Sequence, residues 1–367
     1  MTLRSVFAYV PYQFCGHVPE FLKDHSERLC LFWFETRFGK CSHRVEWIED
    51  GRVVLQRTHR SSHNIFLYYF LWFFWGQVEL WRFAAAGKLR TVALCGHPAN
   101  LFLSSVHRLF HRVAFSYWIG DFFPSKSLVI RAFERVKKFY NDHVGFAYYL
   151  SDAINRVENG RVMSSDVRRT VAWGIRLYPE CKVSRRGLRQ LLFVGLLRNG
   201  QGIEDVISFV AKNPDYRLAI IGEAANGYDR EIRRILASAD VGGRVFFPNR
   251  FYSQDELIAE ARRSFAGIAL YDLSPDNFTH YADPGKVKAY VEMGLPVIMT
   301  RISDVAKIIE EFKAGVVIDS PAEVGSAASE IGAHVDEYGK GVSAFAEHYD
   351  YDRYYAENFK AMERLWK

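Results

Sequence analysis

The stretch QLLFVGLLRNGQGIEDVISFVAKNPDYRLAIIGE, residues 190–223, decides the fold class. An apolar, β-favouring run ends at Gly195, a glycine-rich loop leads into a helical pattern, and a second apolar run ends at Gly222. Short strands that are apolar on both faces and joined by helices are typical of βαβ units on a parallel sheet. The runs RVFFP, GIALYD, PVIMT and AGVVID continue this pattern to about residue 330. The sequence therefore predicts a doubly wound α/β domain in this half.

The first half of the chain predicts a second α/β domain. Similar but less regular apolar runs occur at Val6–Val10, Leu29–Phe34, Thr91–Cys95, Val113–Trp118 and Val144–Leu150. A chain of 367 residues also exceeds the size at which one hydrophobic core stops growing. We expect a first domain at 1–178, a linker at 179–189, a second domain at 190–342, and a helical segment at 343–367 that packs back on the first domain.

Positive charge is concentrated in the first half. Residues 1–178 contain 24 Lys and Arg against 14 Asp and Glu, whereas the remainder contains 24 against 28. A basic surface suits an anionic partner such as a phospholipid headgroup or a lipid-linked diphosphate, and a merely solvated face is the alternative. The five cysteines form no close pair, which favours reduced thiols in a cytoplasmic protein.

Two segments of the first half bear on membrane contact. The run IFLYYFLWFFW, residues 65–75, is far shorter than the ~20 residues of a spanning helix, so it is either core or an interfacial element that dips into a bilayer. Between Ser125 and Asn141, apolar residues at helical spacing predict an amphipathic helix. Its basic residues, Arg131, Arg135, Lys137 and Lys138, form either a binding face or a solvated one. We expect peripheral attachment to the inner membrane face through this half.

The segment from Tyr271 to Thr300 carries the clearest chemical signal. A strand ends at Asp272, a polar loop follows, and Pro284-Gly285-Lys286 opens a short helix that Gly294 closes. Stability alone favours an acid in the first turn of a helix, because the helix dipole is positive there. A lysine at this place makes sense when a phosphate binds to it and to the free N–H groups.

Four segments of this half, in their order and spacing, resemble the donor-binding domain of family 4-type glycosyltransferases with the GT-B fold. They are FVGLLRNGQG, AIIGE, RVFFPNRF and ADPGKVKAYVEMGLPVI. The resemblance implies two Rossmann-like domains facing a cleft. It also implies transfer of a sugar from a nucleotide-diphosphate sugar to a saccharide or lipid-linked acceptor in cell-surface polysaccharide synthesis, without a cofactor, a metal or a nucleic acid. Where the family commonly has two glutamates eight positions apart, this chain has Tyr281 and Ala289.

The resemblance also implies a set of site residues. The expected donor-binding residues are Gly16, Gly195, Arg198, Glu223, Arg250, Pro284, Gly285 and Lys286, with Lys286 on the diphosphate. His97 and Asp121 each follow a strand of the first domain and are the two candidates for the catalytic base, with a loop-structuring role as the alternative for both. Asp350-Tyr351-Asp352 lies beyond the last βα unit, so we expect no metal there. A sugar-nucleotide epimerase of the same fold and a non-catalytic binding subunit are the alternative functions.

Overall fold

The computed structural model describes residues 2–10, 16–35, 42–95 and 113–366, with the backbone alone at 34, 35, 65 and 66. The chain folds into two compact units. Unit 1 comprises residues 1–174 and 351–367, and unit 2 comprises residues 175–350. Each unit is built on a sheet flanked by helices, which confirms the predicted α/β class.

The sheet of unit 1 contains eight strands among the described residues, in the order β4-β3-β2-β1-β5-β6-β7-β8. Their bounds are β1 Leu3–Val10, β2 Ser26–Glu35, β3 Ser42–Glu49, β4 Arg52–Arg60, β5 Thr91–Cys95, β6 Val113–Ile119, β7 Phe146–Tyr149 and β8 Arg168–Thr170. Strands β1, β2 and β5 to β8 are parallel, whereas β3 and β4 form an antiparallel hairpin added to β2. Asp50 and Gly51, both with positive φ, make the hairpin turn. The buried parallel strands match the predicted runs.

Helices cover unit 1: α1 Val18–His25, α2 Ile65–Ala86, α3 Leu128–His143 and α4 Asp152–Asn159, with α12 Tyr351–Phe359 from the end of the chain. Tyr355 and Phe359 of α12 make edge-on contacts with Trp118 of β6 and pack against Phe21 of α1. The C-terminal helix therefore packs on the first domain, as predicted.

The aromatic run 65–75 forms the first half of α2. One side of α2 packs against the protein: Trp72, Leu80 and Phe83 are buried, and Trp75 stacks on His59 of β4. The other side is exposed and carries Leu67, Phe70, Phe74 and Trp81. The run therefore fits neither the core nor the interfacial alternative completely, because one of its faces belongs to the core and the other faces outward. In the part of the chain that the structure describes, no helix combines the length and the apolar character needed to span a bilayer.

Unit 2 has a parallel six-stranded sheet in the order β11-β10-β9-β12-β13-β14 within the described residues. Its strands are β9 Gln190–Val194, β10 Arg217–Ile221, β11 Val245–Phe246, β12 Ser264–Ala269, β13 Val297–Thr300 and β14 Gly315–Ile318. Its helices are α5 Ile203–Lys212, α6 Tyr228–Ser238, α7 Gln254–Arg263, α8 Gly285–Glu292, α9 Asp304–Phe312, α10 Val324–Ala333 and α11 Val335–His348. Two apolar clusters cover the two faces of the sheet, which makes this a doubly wound domain.

The boundaries of unit 2 differ from those inferred from the sequence. Residues 179–189, expected to be a linker, are part of unit 2 because Arg185 anchors them. The buried Arg185 guanidinium donates to five backbone carbonyls, among them those of Ala261 at 2.7 Å and Met293 at 2.7 Å. Residue 343, the expected start of the terminal segment, lies inside α11, and the chain enters unit 1 at Tyr351.

Candidate functional site

The candidate site lies at the carboxyl edge of the unit 2 sheet. All six strands are parallel, so the loops after β9, β10 and β12 and the first turn of α8 open at the same edge. In open parallel sheets ligands bind in this crevice, near the point where the strand order reverses. Here β9 and β12 are neighbours at the centre of the sheet.

Lys286 is the main feature of this edge. Pro284 is the N-cap of α8, so Lys286 stands in the first turn, and its ammonium lies 3.9 Å from the ring centroid of Phe193 and 5.5 Å from that of Tyr271. The nitrogen is buried and has no hydrogen-bond partner among the residues that the structure describes. Burial lowers the pKa of Lys286 to about 7. A desolvated cation without a counter-ion costs folding free energy, which an anionic ligand would offset.

Gly195 provides the space for this lysine. A Cβ on Gly195 would lie 3.3 Å from Cε of Lys286, and the residue has a φ of +127°, which disfavours any other side chain. A Cβ on Gly222 would clash with the Gly195 carbonyl oxygen, so the ends of β9 and β10 approach closely. The two glycines that end these strands are therefore required by backbone geometry at the site.

Hydrogen bonds join the loop after β10 to the loops after β9 and β11. The Leu197 amide donates to the Glu223 carbonyl at 2.9 Å, the Ala225 amide donates to the Leu197 carbonyl at 2.9 Å, and the Ala224 amide donates to the Asn249 side chain at 2.9 Å. Arg198 is exposed, and its guanidinium forms no ion pair among the described residues. The carboxylate of Glu223 is also exposed at this edge. An arginine so placed can meet a second anionic group.

The loop between β12 and α8 is ordered by its own hydrogen bonds. His280 contacts the Ile302 carbonyl at 2.9 Å and the Ser274 carbonyl at 3.1 Å, and the Ser274 amide and hydroxyl donate to Asp272 at 2.9 and 2.7 Å. The bonds from Ser274 lower the pKa of Asp272. Asp272 also lies beside Gly200, whose added Cβ would be 3.5 Å from that of Asp272. This loop therefore contacts the glycine loop after β9.

The structure brings Gly195, Pro284, Gly285 and Lys286 together, with Arg198 and Glu223 on adjoining loops. Arg250 has another partner: its guanidinium pairs with Glu256 at 2.6 Å in the first turn of α7 and stacks on Tyr252. Glu256 also accepts from the Ser253 amide at 2.8 Å, so Arg250 extends a capping box. Its donor-binding role stays a prediction, as do the others.

The candidates in unit 1 stand in different surroundings. His97 lies outside the described residues. Gly16 has a φ of +53°, and its carbonyl accepts from the Tyr355 hydroxyl at 2.7 Å; a Cβ there would come within 2.8 Å of Trp173. Close packing thus requires a glycine at this position regardless of any ligand.

Asp121 follows β6, as predicted, and is exposed. Neighbouring protein nevertheless desolvates its carboxylate enough to raise the pKa, with a further contribution from Glu134 and an opposing one from Lys137. The Asp121 carbonyl accepts from Lys137 at 2.8 Å. A raised carboxyl pKa suits a general base, and Asp121 stays a candidate for that role.

Two features of the sequence were assigned wrongly or missed. Lys137 does not belong to an exposed basic face: it is buried, and its ammonium lies 2.5 Å from Glu134 and 3.2 Å from Glu158. Lys288 was missed: it is buried on α8 opposite the buried Asp283, with an N···O distance of 3.6 Å. Its only sequence signal was a second lysine in a short helix.

Comparison with solved structures identifies the architecture. Sucrose-phosphate synthase from Thermosynechococcus elongatus superposes with a TM-score of 0.69 at 12% identity over 99% of both chains. The HepE protein of Anabaena, solved with UDP, gives a TM-score of 0.61 at 12% identity over 99% of this chain and 97% of that one. WaaG, a glycosyltransferase involved in lipopolysaccharide biosynthesis, gives 0.57 at 15% identity over 99% of both. The chain has the GT-B fold.

Sequence comparison points the same way. Residues 242–357 match the family model described as the Glucosyltransferase 3-like C-terminal domain. No match was found among the curated proteins. The matched segment runs from just before β11 into α12 and contains Pro284, Gly285 and Lys286. Both comparisons confirm the predicted resemblance to GT-B glycosyltransferases.

Proposed function

We propose that the protein transfers a sugar from a nucleoside-diphosphate sugar to a saccharide or lipid-linked acceptor in the synthesis of a cell-surface polysaccharide. The proposal rests on the buried ammonium of Lys286 at the carboxyl edge of the unit 2 sheet, which has no partner within the described ranges. A diphosphate there would meet the lysine, the free N–H groups of α8 and the exposed Arg198.

The chemistry of the transfer explains why cations are needed. The leaving group is a nucleoside diphosphate, whose negative charge grows as the glycosidic bond to the sugar breaks. Lys286 and the positive end of α8 would neutralise that charge without a metal ion. Asp121 of unit 1 is our proposed base, and it would remove the proton of the acceptor hydroxyl.

A thermal-shift screen tests the donor site, because a ligand that binds only the folded state raises the melting temperature. The probes are UDP, GDP, ADP and dTDP, each with its monophosphate and a corresponding sugar. We expect one diphosphate series to stabilise the protein and its monophosphate to do so less. Equal shifts for a monophosphate and its diphosphate would contradict a diphosphate site at Lys286.

A second candidate is a nucleotide-binding subunit without activity, since Tyr281 and Ala289 stand where related enzymes commonly carry glutamates. Hydrolysis of the donor by the purified protein, absent in an Asp121→Asn variant, would exclude it. Conversion of the donor into an isomeric nucleotide sugar would instead identify an epimerase.

We also propose peripheral contact with the inner membrane face through unit 1, supported by the exposed aromatic side chains of α2. Phe70 and Trp81 are 60% and 59% exposed, and Leu67 and Phe74 lie on the same face. Lipid-vesicle flotation of the full chain and of a Phe70→Ser/Phe74→Ser variant checks this. Equal recovery of both would exclude α2 as the contact.

A further inference from the structure

Helix α3 buries charged and polar side chains while leaving several of its apolar side chains exposed. Its side toward the protein holds Lys137, Tyr140 and Asn141, all buried. Lys137 is paired to Glu134 and Glu158, and Asn141 accepts from the Tyr149 hydroxyl at 2.6 Å. Polar contacts thus fasten α3 to unit 1.

The outer side of α3 carries apolar residues. Leu128 and Val129 are each 78% exposed, Phe139 is 56% exposed and Val136 is 46% exposed. The spacing of Val129, Ala132, Val136 and Phe139 places them in one strip along the helix, about 15 Å long for ten steps of ~1.5 Å each. Exposure of apolar area to water is unfavourable, so a strip that unit 1 leaves uncovered is expected to have a partner.

A basic strip runs beside the apolar strip. Arg131, Arg135 and Lys138 are exposed and recur at spacings of four and three, about a third of a turn from the apolar strip. Arg131 and Arg135 form no ion pair among the described residues, and Lys138 contacts Asp142 at 3.5 Å. Lys126, just before the helix, is also exposed.

We propose that this outer side of α3 binds an anionic lipid surface, with Val129, Val136 and Phe139 in the headgroup boundary and Arg131 and Arg135 on lipid phosphates. The pairing of an apolar strip with a cationic strip is that of helices that lie in the plane of a membrane.

A second copy of the chain is a less suitable partner for this side. Asp142 is the only exposed acid of α3, every residue of which the structure describes, so an interface between two copies would bring like charges together. The proposal goes beyond the contact assigned to α2 and does not depend on the donor site.

Vesicle co-sedimentation of the full chain tests the proposal with two matched charge reversals. Arg131→Glu/Arg135→Glu alters α3, and Arg156→Glu/Arg161→Glu makes the same change in net charge at other exposed positions of unit 1. Vesicles are phosphatidylcholine alone or with about 30 mol% phosphatidylglycerol. We expect the α3 reversal to raise the half-saturating lipid concentration about tenfold or more, and the control reversal by about twofold at most.

The apolar strip has its own test, because its contribution does not depend on salt. A Val136→Gln/Phe139→Gln variant should bind less at both about 0.1 and about 0.5 M salt, whereas the charge reversal should matter chiefly at low salt. Unchanged thermal unfolding of each variant shows that the fold is intact.

Equal effects of the two charge reversals, or no binding to vesicles, would overturn the proposal. Binding that survives both α3 variants and is lost on Phe70→Ser/Phe74→Ser would also overturn it while leaving the α2 contact in place. A monomer–dimer equilibrium abolished by Val136→Gln/Phe139→Gln, without lipid binding, would assign the strip to a second copy instead.

Discussion

Lys286 and Lys288 are two positions apart on α8, and both are largely removed from water, yet their surroundings differ. Lys288 faces the core of unit 2, where it meets the Asp283 carboxylate and lies 4.1 Å from the Tyr349 ring centroid. Lys286 points to the opposite side of the helix, over Phe193 and Gly195, and no carboxylate in the described part of the chain pairs with its ammonium. Neither ammonium has a hydrogen-bond partner among the described residues, but Lys288 has a carboxylate 3.6 Å away, whereas Lys286 would gain such a counter-charge only from an anionic ligand. Burial alone therefore does not distinguish a structural cation from a binding one.

The largest effect is expected for the paired lysine. Asp283→Asn would leave Lys288 without its carboxylate, and breaking a buried pair costs about 3 to 5 kcal/mol of unfolding free energy. Urea unfolding measures this. The double variant Asp283→Leu/Lys288→Met should recover most of the loss, and Lys286→Met should not lower stability. A loss below about 1 kcal/mol in Asp283→Asn would mean that the pair is not structural.

The unpaired lysine should affect binding instead. Lys286→Ala should weaken nucleoside diphosphate binding by about 1.5 to 3 kcal/mol, the range for a hydrogen bond to a charged group. Turnover should fall by more, because charge on the leaving group grows during transfer. Isothermal titration calorimetry checks the affinity, with Lys212→Ala, an exposed lysine at the far end of α5, as the control. If Lys286→Ala bound the nucleoside diphosphate as tightly as the unaltered protein, Arg198 would be the cation that binds the diphosphate.

Donor affinity should depend on pH near neutrality. The pKa of Lys286 is about 7 without ligand, and a bound diphosphate raises it, so the complex holds more protons than the free protein. Affinity is then full below about pH 7 and falls as pH rises above it, about tenfold between pH 6 and pH 8. A nucleotide sugar is the suitable probe, because its diphosphate does not titrate in this range. Lys286→Arg, which stays charged, should remove the pH dependence of the affinity. If that variant kept the same pH dependence, another titrating group would be its cause.

The smallest effect is expected from chelation. Because Lys286 and the N-terminus of α8 would supply the positive charge, binding of the nucleotide diphosphate should be unchanged by EDTA. Titration with and without EDTA checks this. Loss of binding with recovery on adding manganese would point to a metal-dependent site and to Asp350 and Asp352. In the structure Asp352 contacts His25 at 2.5 Å.

Local sequence was a good guide wherever the signal was local. The parallel strands of unit 2 are continuous apolar runs, and α8 begins and ends at the predicted Pro-Gly and Gly-Leu-Pro steps. The β3–β4 hairpin was missed although Asp50-Gly51 is a recognised turn signal, because Arg52–Arg60 alternates apolar and polar residues only weakly. At the site, the sequence predicted Gly195 and Lys286 together because both follow from the βα pattern of parallel sheets.

What the sequence by itself determined is the α/β class, the doubly wound sheet of unit 2 and the helix that carries Lys286, because each follows from the periodicity of neighbouring residues. Tertiary structure alone decided which charged side chains are paired and which apolar ones are covered. Helical spacing could not predict that Lys137 would be buried and Phe139 exposed. The burial of Lys137 depends on its ion pair with Glu158, which belongs to a different helix, α4. Arg185 likewise lies in a segment that the sequence predicted to be a linker, but in the fold carbonyls from distant helix ends accept hydrogen bonds from it. Burial and pairing are properties of contacts between elements, and those contacts exist only in the folded chain.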